Sequence, residues 1–233
     1  MVEILIEGPG KNALGSALID SLSAQMDAAG GAPLLFTGAG DAFSAGLNLK
    51  EVGGLEADGM NVFLDRLENF IRKIWLYPGP TVAAVNGHAI AGGCIVAMAC
   101  DVAIATANPK ARIGLNEVAL GLRFPPGILR FVKARLSTGQ LSEVVLGAGL
   151  HAPSDAVRLG LVHRTGEDPL AEARAVLTGL AKHPAAAYAA TKNDLREGSM
   201  DTTAAERDAF IDDVVPFWTS PELKAMIRSL LGG

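Results

Sequence analysis

A chain of 233 residues that is 49% hydrophobic has enough apolar side chains for one substantial core. Charged residues make up 19% of it, with both signs interspersed, and the net charge of −5 excludes the basic footprint that nucleic acid or an anionic membrane requires. Cys94 and Cys100 match neither a redox pair nor a zinc site, and His88, His151, His163 and His183 lack metal-ligand spacing, so buried thiols in a reducing compartment and no metal are expected.

Val2 to Glu7 alternates as a strand, and GPGKN after it reads as a turn. The opening MVEILIEGPGK lacks the basic-then-apolar pattern of a secretory leader, which makes a cytoplasmic location the expectation. Ala13 to Ala28 carries Leu14, Leu18, Leu22 and Met26 at spacings of four, predicting an amphipathic helix. Pro33 to Thr37 is a short apolar strand closed by Gly38 and Gly40. Met60, Phe63, Leu67, Phe70, Ile71, Ile74 and Trp75 hold a helical stripe that Tyr77-Pro78-Gly79-Pro80 ends.

Thr81 to Val85 and Asp101 to Thr106 read as buried strands, and Gly92-Gly93 opens a helix between them. The uncharged stretch Thr81 to Cys100 is broken by Asn86, Gly87, His88, Gly92 and Gly93, so it is not expected to span a membrane. This alternation of strand and helix implies an α/β core. From Gly127 onward the pattern is helical, apart from a strand at Leu161 to Arg164, and Arg130, Lys133 and Arg135 read as a solvated helix face. The last helix starts with Ser220 as N-cap, Pro221 at its first position and Glu222 behind it. A compositional shift near Ser199 divides the chain into a core, 1–198, and a helical C-terminal segment, 199–233.

Three segments carry chemistry. Gly38 to Leu49 contains Phe43-Ser44-Ala45-Gly46-Leu47-Asn48; Phe43 takes the place of a third glycine, so the dinucleotide fingerprint fails, and small residues here let a ligand approach the backbone. Asn86-Gly87-His88-Ala89-Ile90-Ala91-Gly92-Gly93-Cys94 runs a strand into paired glycines at a helix start, where free N–H groups and the positive end of the helix dipole face whatever sits there; taken alone, it reads as readily as a tight strand–helix crossover with glycines for packing. Ile113-Gly114-Leu115-Asn116-Glu117-Val118 sets a carboxylate among apolar and small residues, where desolvation raises its pKa toward the range useful for proton transfer. On position alone, though, it reads as a solvated glutamate at a helix start, facing the dipole.

In order and spacing, these segments together resemble the crotonase (enoyl-CoA hydratase/isomerase) superfamily, and the resemblance runs over essentially the whole chain. It implies a crotonase-like spiral of ββα repeats with a helical C-terminal trimerisation region, assembling as a homotrimer or a dimer of trimers. It implies an acyl-CoA substrate, with coenzyme A entering as part of the thioester and no separate cofactor. By the same resemblance, the N–H groups of Ala45 and Gly92 form an oxyanion hole, and Glu117 is the catalytic carboxylate. Gly93 and Ile95 belong to the substrate site, and Leu47 and Asn48 lie beside the adenine or pantetheine part of coenzyme A; Lys50 could meet a phosphate or simply be solvated.

Hydratases of this superfamily carry a second glutamate directly after the glycine segment, where this chain has Ile95. Adding water across a double bond needs a held, activated water, which two carboxylates provide. Moving a double bond from C3 to C2 needs one base, an oxyanion hole and a wall that excludes water. The text around Asn108-Pro109 and Ile113-Gly114-Leu115-Asn116-Glu117 also resembles the mitochondrial type of Δ3,Δ2-enoyl-CoA isomerase, so isomerisation is the expected reaction. Hydration, another CoA-thioester reaction, or a non-catalytic acyl-CoA-binding relative are the alternatives. His88 and Glu143 read as structural and surface residues, and Phe217 and Trp218 as either tunnel lining or helix packing.

Overall fold

The computed structural model describes residues 1–231; Gly232 and Gly233, the end of the expected C-terminal segment, lie outside the described residues. Eight short strands follow in chain order: β1 (Val2–Ile6), β2 (Leu34–Gly38), β3 (Ala42–Ser44), β4 (Thr81–Val85), β5 (His88–Ile90), β6 (Val102–Thr106), β7 (Ile113–Gly114) and β8 (Arg164–Gly166). They form two sheets, β1-β2-β4-β6-β8 and β3-β5-β7, and every pairing is parallel. Three passes of the chain, β2-β3, β4-β5 and β6-β7, lay one strand in the large sheet and the next in the small one, then return through helical structure. That is the expected spiral of ββα turns.

The strand sequences follow from where they sit. β2 and β4 are buried along their whole length, because a parallel sheet is covered on both faces and so reads as continuous apolar text. On one face Leu35, Val82, Ala84 and Ile104 meet Ala173 and Leu177 of the helix Pro169–Leu180. On the other, the main core gathers Ile4, Phe36, Ala83 and Val85 with Phe63, Phe70 and Ile74 of the helix Ala57–Trp75. Phe210, Val214, Trp218, Leu223 and Ile227 of the C-terminal segment pack into this same cluster, so the two expected segments share one core.

Three expectations shift. The first long helix is Ser16–Ala29, not Ala13 to Ala28. Leu14 instead makes an isolated parallel bridge with Leu47, its N–H donating to Gly46 O at 2.7 Å and its carbonyl accepting from Asn48 N at 3.0 Å. The strand expected at Leu161 to Arg164 is displaced to β8, because buried Leu161 and Val162 serve the core from a turn rather than the sheet. Arg135 is no solvated residue: it is half-buried, with Nε donating to Met98 O at 3.1 Å, whereas Arg130 pairs with Glu206 at the surface. Among the described residues no helix is long and apolar enough to cross a membrane.

Candidate active site

The site is built where the small sheet meets the helix starts. A left-handed stretch, Gly10 to Asn12 with φ of 60–61°, turns the chain back beneath the loop after β3. There the Asn12 amide donates to Ala39 O and Ala42 O, and the Ser44 hydroxyl donates to Asn12 O at 2.8 Å. The turn also brings the Lys11 carbonyl onto the N–H of Ala45 at 3.0 Å.

That bond corrects one expectation. Ala45 lines the cavity, but its N–H is already donated, so it does not serve as an oxyanion donor. Leu14 N–H donates to Gly46 O and Leu14 O accepts from Asn48 N, and the N–H of Leu47 between them, two residues past Ala45, donates to no atom of the described residues. Alternation along an extended segment points that N–H away from Leu14. On Leu47's cavity side lies Gly92, the first residue of the helix Gly92–Ala99, whose N–H has no intrahelical partner. A Cβ on Gly92 would lie 3.2 Å from Leu47 Cδ2 and 4.0 Å from Gly46 Cα. The free donor pair is therefore Leu47 and Gly92.

Gly93 has a different part from the one expected. It does not line the cavity; a Cβ there would stand 2.4 Å from Ser44 O, so Gly93 lets the helix start press against β3. Asn48 does line the cavity, yet its Oδ1 accepts from Lys50 N at 3.2 Å and Glu51 N at 3.4 Å, capping the short helix Leu49–Val52. Replacing Asn48 by Ala should cost about 1 kcal/mol, the usual worth of an N-cap, and chemical denaturation would read it. Lys50 is exposed at the cavity edge.

Glu117 follows β7 by three residues and is 6% exposed. Its backbone carbonyl closes the following turn by accepting from Leu120 N and Leu122 N. Its side chain stands among Ile95, Leu120, Leu122 and Phe124 on the wall of a cavity of about 400 Å³. Burial pushes its carboxyl up to about 7. Glu117 Oε2 and the neighbouring Asn116 Oδ1 are both buried with no hydrogen-bond partner among the described residues. The same cavity is lined by Leu47, Gly92 and Ile95, so the unpaired donors and the carboxylate share one space. Cys94 lies behind it, its thiol pushed above the ordinary range by burial and then by Glu117, so no thiolate is available there.

Other candidates take structural places. His88 Nδ1 accepts from Arg112 N at 3.1 Å, and Glu143 is exposed and paired with Arg158. Trp218 lines the cavity, its indole N–H donating to Arg123 O at 3.1 Å, while Phe217 is exposed. The sequence reading missed Glu68, whose carboxylate accepts from Gly127 N at 3.1 Å and so fixes the start of Pro126–Arg135, a cavity wall. An acid on a helix stripe gives no local sign of such a distant bond. Among the described residues no three His, Cys, Asp or Glu side chains converge as a metal site would require.

The chain is similar to several known proteins. A family model described as enoyl-CoA hydratase/isomerase matches residues 1–222. The chain is 27% identical over 191 residues to the mouse protein named enoyl-CoA delta isomerase 1, mitochondrial, covering 81% of this chain and 66% of that protein. It is 34% identical over 168 residues to a putative enoyl-CoA hydratase of Thermus thermophilus, covering 68% of this chain and 64% of that one. The matches thus span just under two thirds of these curated relatives. In fold it is similar to human mitochondrial Δ3,Δ2-enoyl-CoA isomerase, with a TM-score of 0.87 at 24% identity over 97% of this chain and 90% of that one. A mycobacterial enoyl-CoA isomerase gives 0.82 at 27% identity, covering 91% and 93%.

Proposed function

The chain belongs to the enoyl-CoA hydratase/isomerase family, and from that premise we propose that it moves the double bond of a 3-enoyl-CoA thioester to C2, with Glu117 carrying the proton. One observation carries the reading: among the described residues, Glu117 is the only carboxylate lining a cavity that is otherwise almost wholly apolar, with Ile95 beside it. Ionised Glu117 takes a proton from C2. The electron pair moves onto the thioester oxygen, giving a dienolate held by the N–H groups of Leu47 and Gly92. The pair then returns as the protonated carboxyl delivers that proton to C4, leaving the double bond between C2 and C3. Each such donor is worth roughly 3 kcal/mol in comparable sites. Apolar walls keep water from quenching the dienolate.

A carboxyl near 7 suits both halves of this transfer, since it can accept and return the proton at neutral pH. The base must start ionised, so kcat/KM for a 3-enoyl-CoA should rise with pH, about tenfold per unit below the midpoint, and level off above about 7. A flat profile between pH 5 and 8 would remove Glu117 from the rate-determining proton transfer. The reaction itself is tested by offering 3-hexenoyl-CoA and following formation of the conjugated thioester.

Hydration is the second reading, supported by the relatives named as hydratases. Crotonyl-CoA hydrated as fast as 3-hexenoyl-CoA is isomerised would favour it over the argument from Ile95. Assembly as a homotrimer or a dimer of trimers belongs to the same proposal and rests on the resemblance to the family.

A further inference from the structure

We infer that Ala91 is a positioning residue, whose methyl group sets the separation of the two backbone donors and so tunes how strongly the site polarises a thioester carbonyl. The inference rests on reading Leu47 and Gly92 as the oxyanion pair. Ala91 has φ 48° and ψ −120°, the conformation of the first central residue of a type II′ turn, where glycine is at ease and a side chain is strained. A chain that keeps a methyl in such a place holds it by its surroundings, and here each tether is visible. The Ala91 N–H donates to Gly114 O at 2.8 Å, joining the helix start to β7, from which the chain reaches Glu117 three residues later. The Ala91 carbonyl accepts from Ile95 N at 3.0 Å as the first bond of the helix.

The methyl itself faces Gly46: a Cβ built on Gly46 would lie 3.3 Å from Ala91 Cβ and 2.8 Å from Ile90 O. Gly46, at φ 93°, precedes Leu47, and Ala91 precedes Gly92. Each donor N–H therefore follows one of the two residues in contact, and the methyl fills the space between the two backbones. With only a hydrogen there, the helix start could close toward Gly46 or swing from it, and the donors would lose their fixed spacing while the fold lost a strained residue.

The test is first of all optical, and that readout does not depend on the reaction assigned above. Bound 2,4-hexadienoyl-CoA, a conjugated thioester, shifts its absorbance to longer wavelength in proportion to polarisation of its carbonyl. Ala91→Gly should bind it with unchanged affinity, show less than about half the wild-type shift, and lower kcat for 3-hexenoyl-CoA by about 5- to 30-fold with little change in KM, a fraction of the loss from deleting a donor outright. Its thermal midpoint should rise as the strain is relieved. Ala91→Ser, which keeps a Cβ, should retain the wild-type shift. An undiminished shift in Ala91→Gly overturns the inference while leaving the donor pair in place. No shift in the wild-type protein removes the donor pair, and the inference with it.

Discussion

Glu117→Gln is expected to lower isomerisation by about 10²- to 10⁴-fold, the range that positioned acid–base groups supply, and yet to stabilise the fold at alkaline pH. Both effects have one cause. The carboxyl is buried without a partner for Oε2, so its charged form is poorly solvated and its pKa lies at about 7 against an ordinary value of 4.5. Below 4.5 the group is neutral in folded and unfolded chains alike, and it adds no pH dependence. Between 4.5 and about 7 the unfolded chain ionises while the folded one keeps its proton, so stability falls as pH rises. Above about 7 the whole loss has accrued, about 3 kcal/mol at 1.36 kcal/mol per pH unit. Glutamine keeps the shape of the neutral acid and cannot ionise, so it escapes that loss. Denaturant unfolding at pH 5 and pH 8 reads the difference: the variant should gain on the wild type between them. Equal losses in both proteins would mean that Glu117 is solvated in the folded state.

The second large effect lies away from the cavity. Asp101 opens the turn into β6 and is nearly buried. Its Oδ1 stands 2.8 Å from both Lys192 Nζ and Arg196 Nη1, and its Oδ2 accepts from Thr81 N at 2.8 Å and the Tyr188 hydroxyl at 2.7 Å. Arg196 also stacks 3.8 Å over the Trp75 ring and donates to Trp75 O. One carboxylate thus fastens the helix Ala185–Arg196 to the large sheet and to the helix Ala57–Trp75. Asp101→Ala leaves two cations facing each other in low dielectric, which in comparable buried pairs costs about 3 to 5 kcal/mol. For a chain of this size the melting temperature should fall by roughly 6 to 20 °C. A fall of less than about 2 °C would show that these cations rearrange into water. Catalysis per folded molecule should survive, because none of these side chains lines the cavity.

The central strands of the large sheet, Leu34–Gly38 and Thr81–Val85, were legible because they are buried on both faces and write themselves as apolar runs, whereas the partly exposed edge strand β8 was displaced from its expected place. The small sheet was not, since Ala42–Ser44, His88–Ile90 and Ile113–Gly114 are too short to show a period of two. Glu117, Gly92 and Ile95 were reached through the resemblance carried by three ordered segments, since local text alone left the glycines and the carboxylate open to structural readings; all three line the cavity. Choosing among the N–H groups of Ala45, Gly46 and Leu47 was beyond local reading. The choice is made by Lys11, far upstream, whose carbonyl takes Ala45 and leaves Leu47 free. The Asp101 network was hidden for the same reason, its partners lying on a helix near the other end of the chain.

The central claim is that one carboxylate in a water-poor cavity carries one proton from C2 to C4. It is tested most directly by turning over 3-hexenoyl-CoA deuterated at C2 in ordinary water and locating the label in the earliest product. The account predicts 2-hexenoyl-CoA with deuterium transferred to C4, and no such product from Glu117→Gln. A conjugated product whose C4 carries only solvent hydrogen from the first turnover, formed equally well by Glu117→Gln, would contradict it.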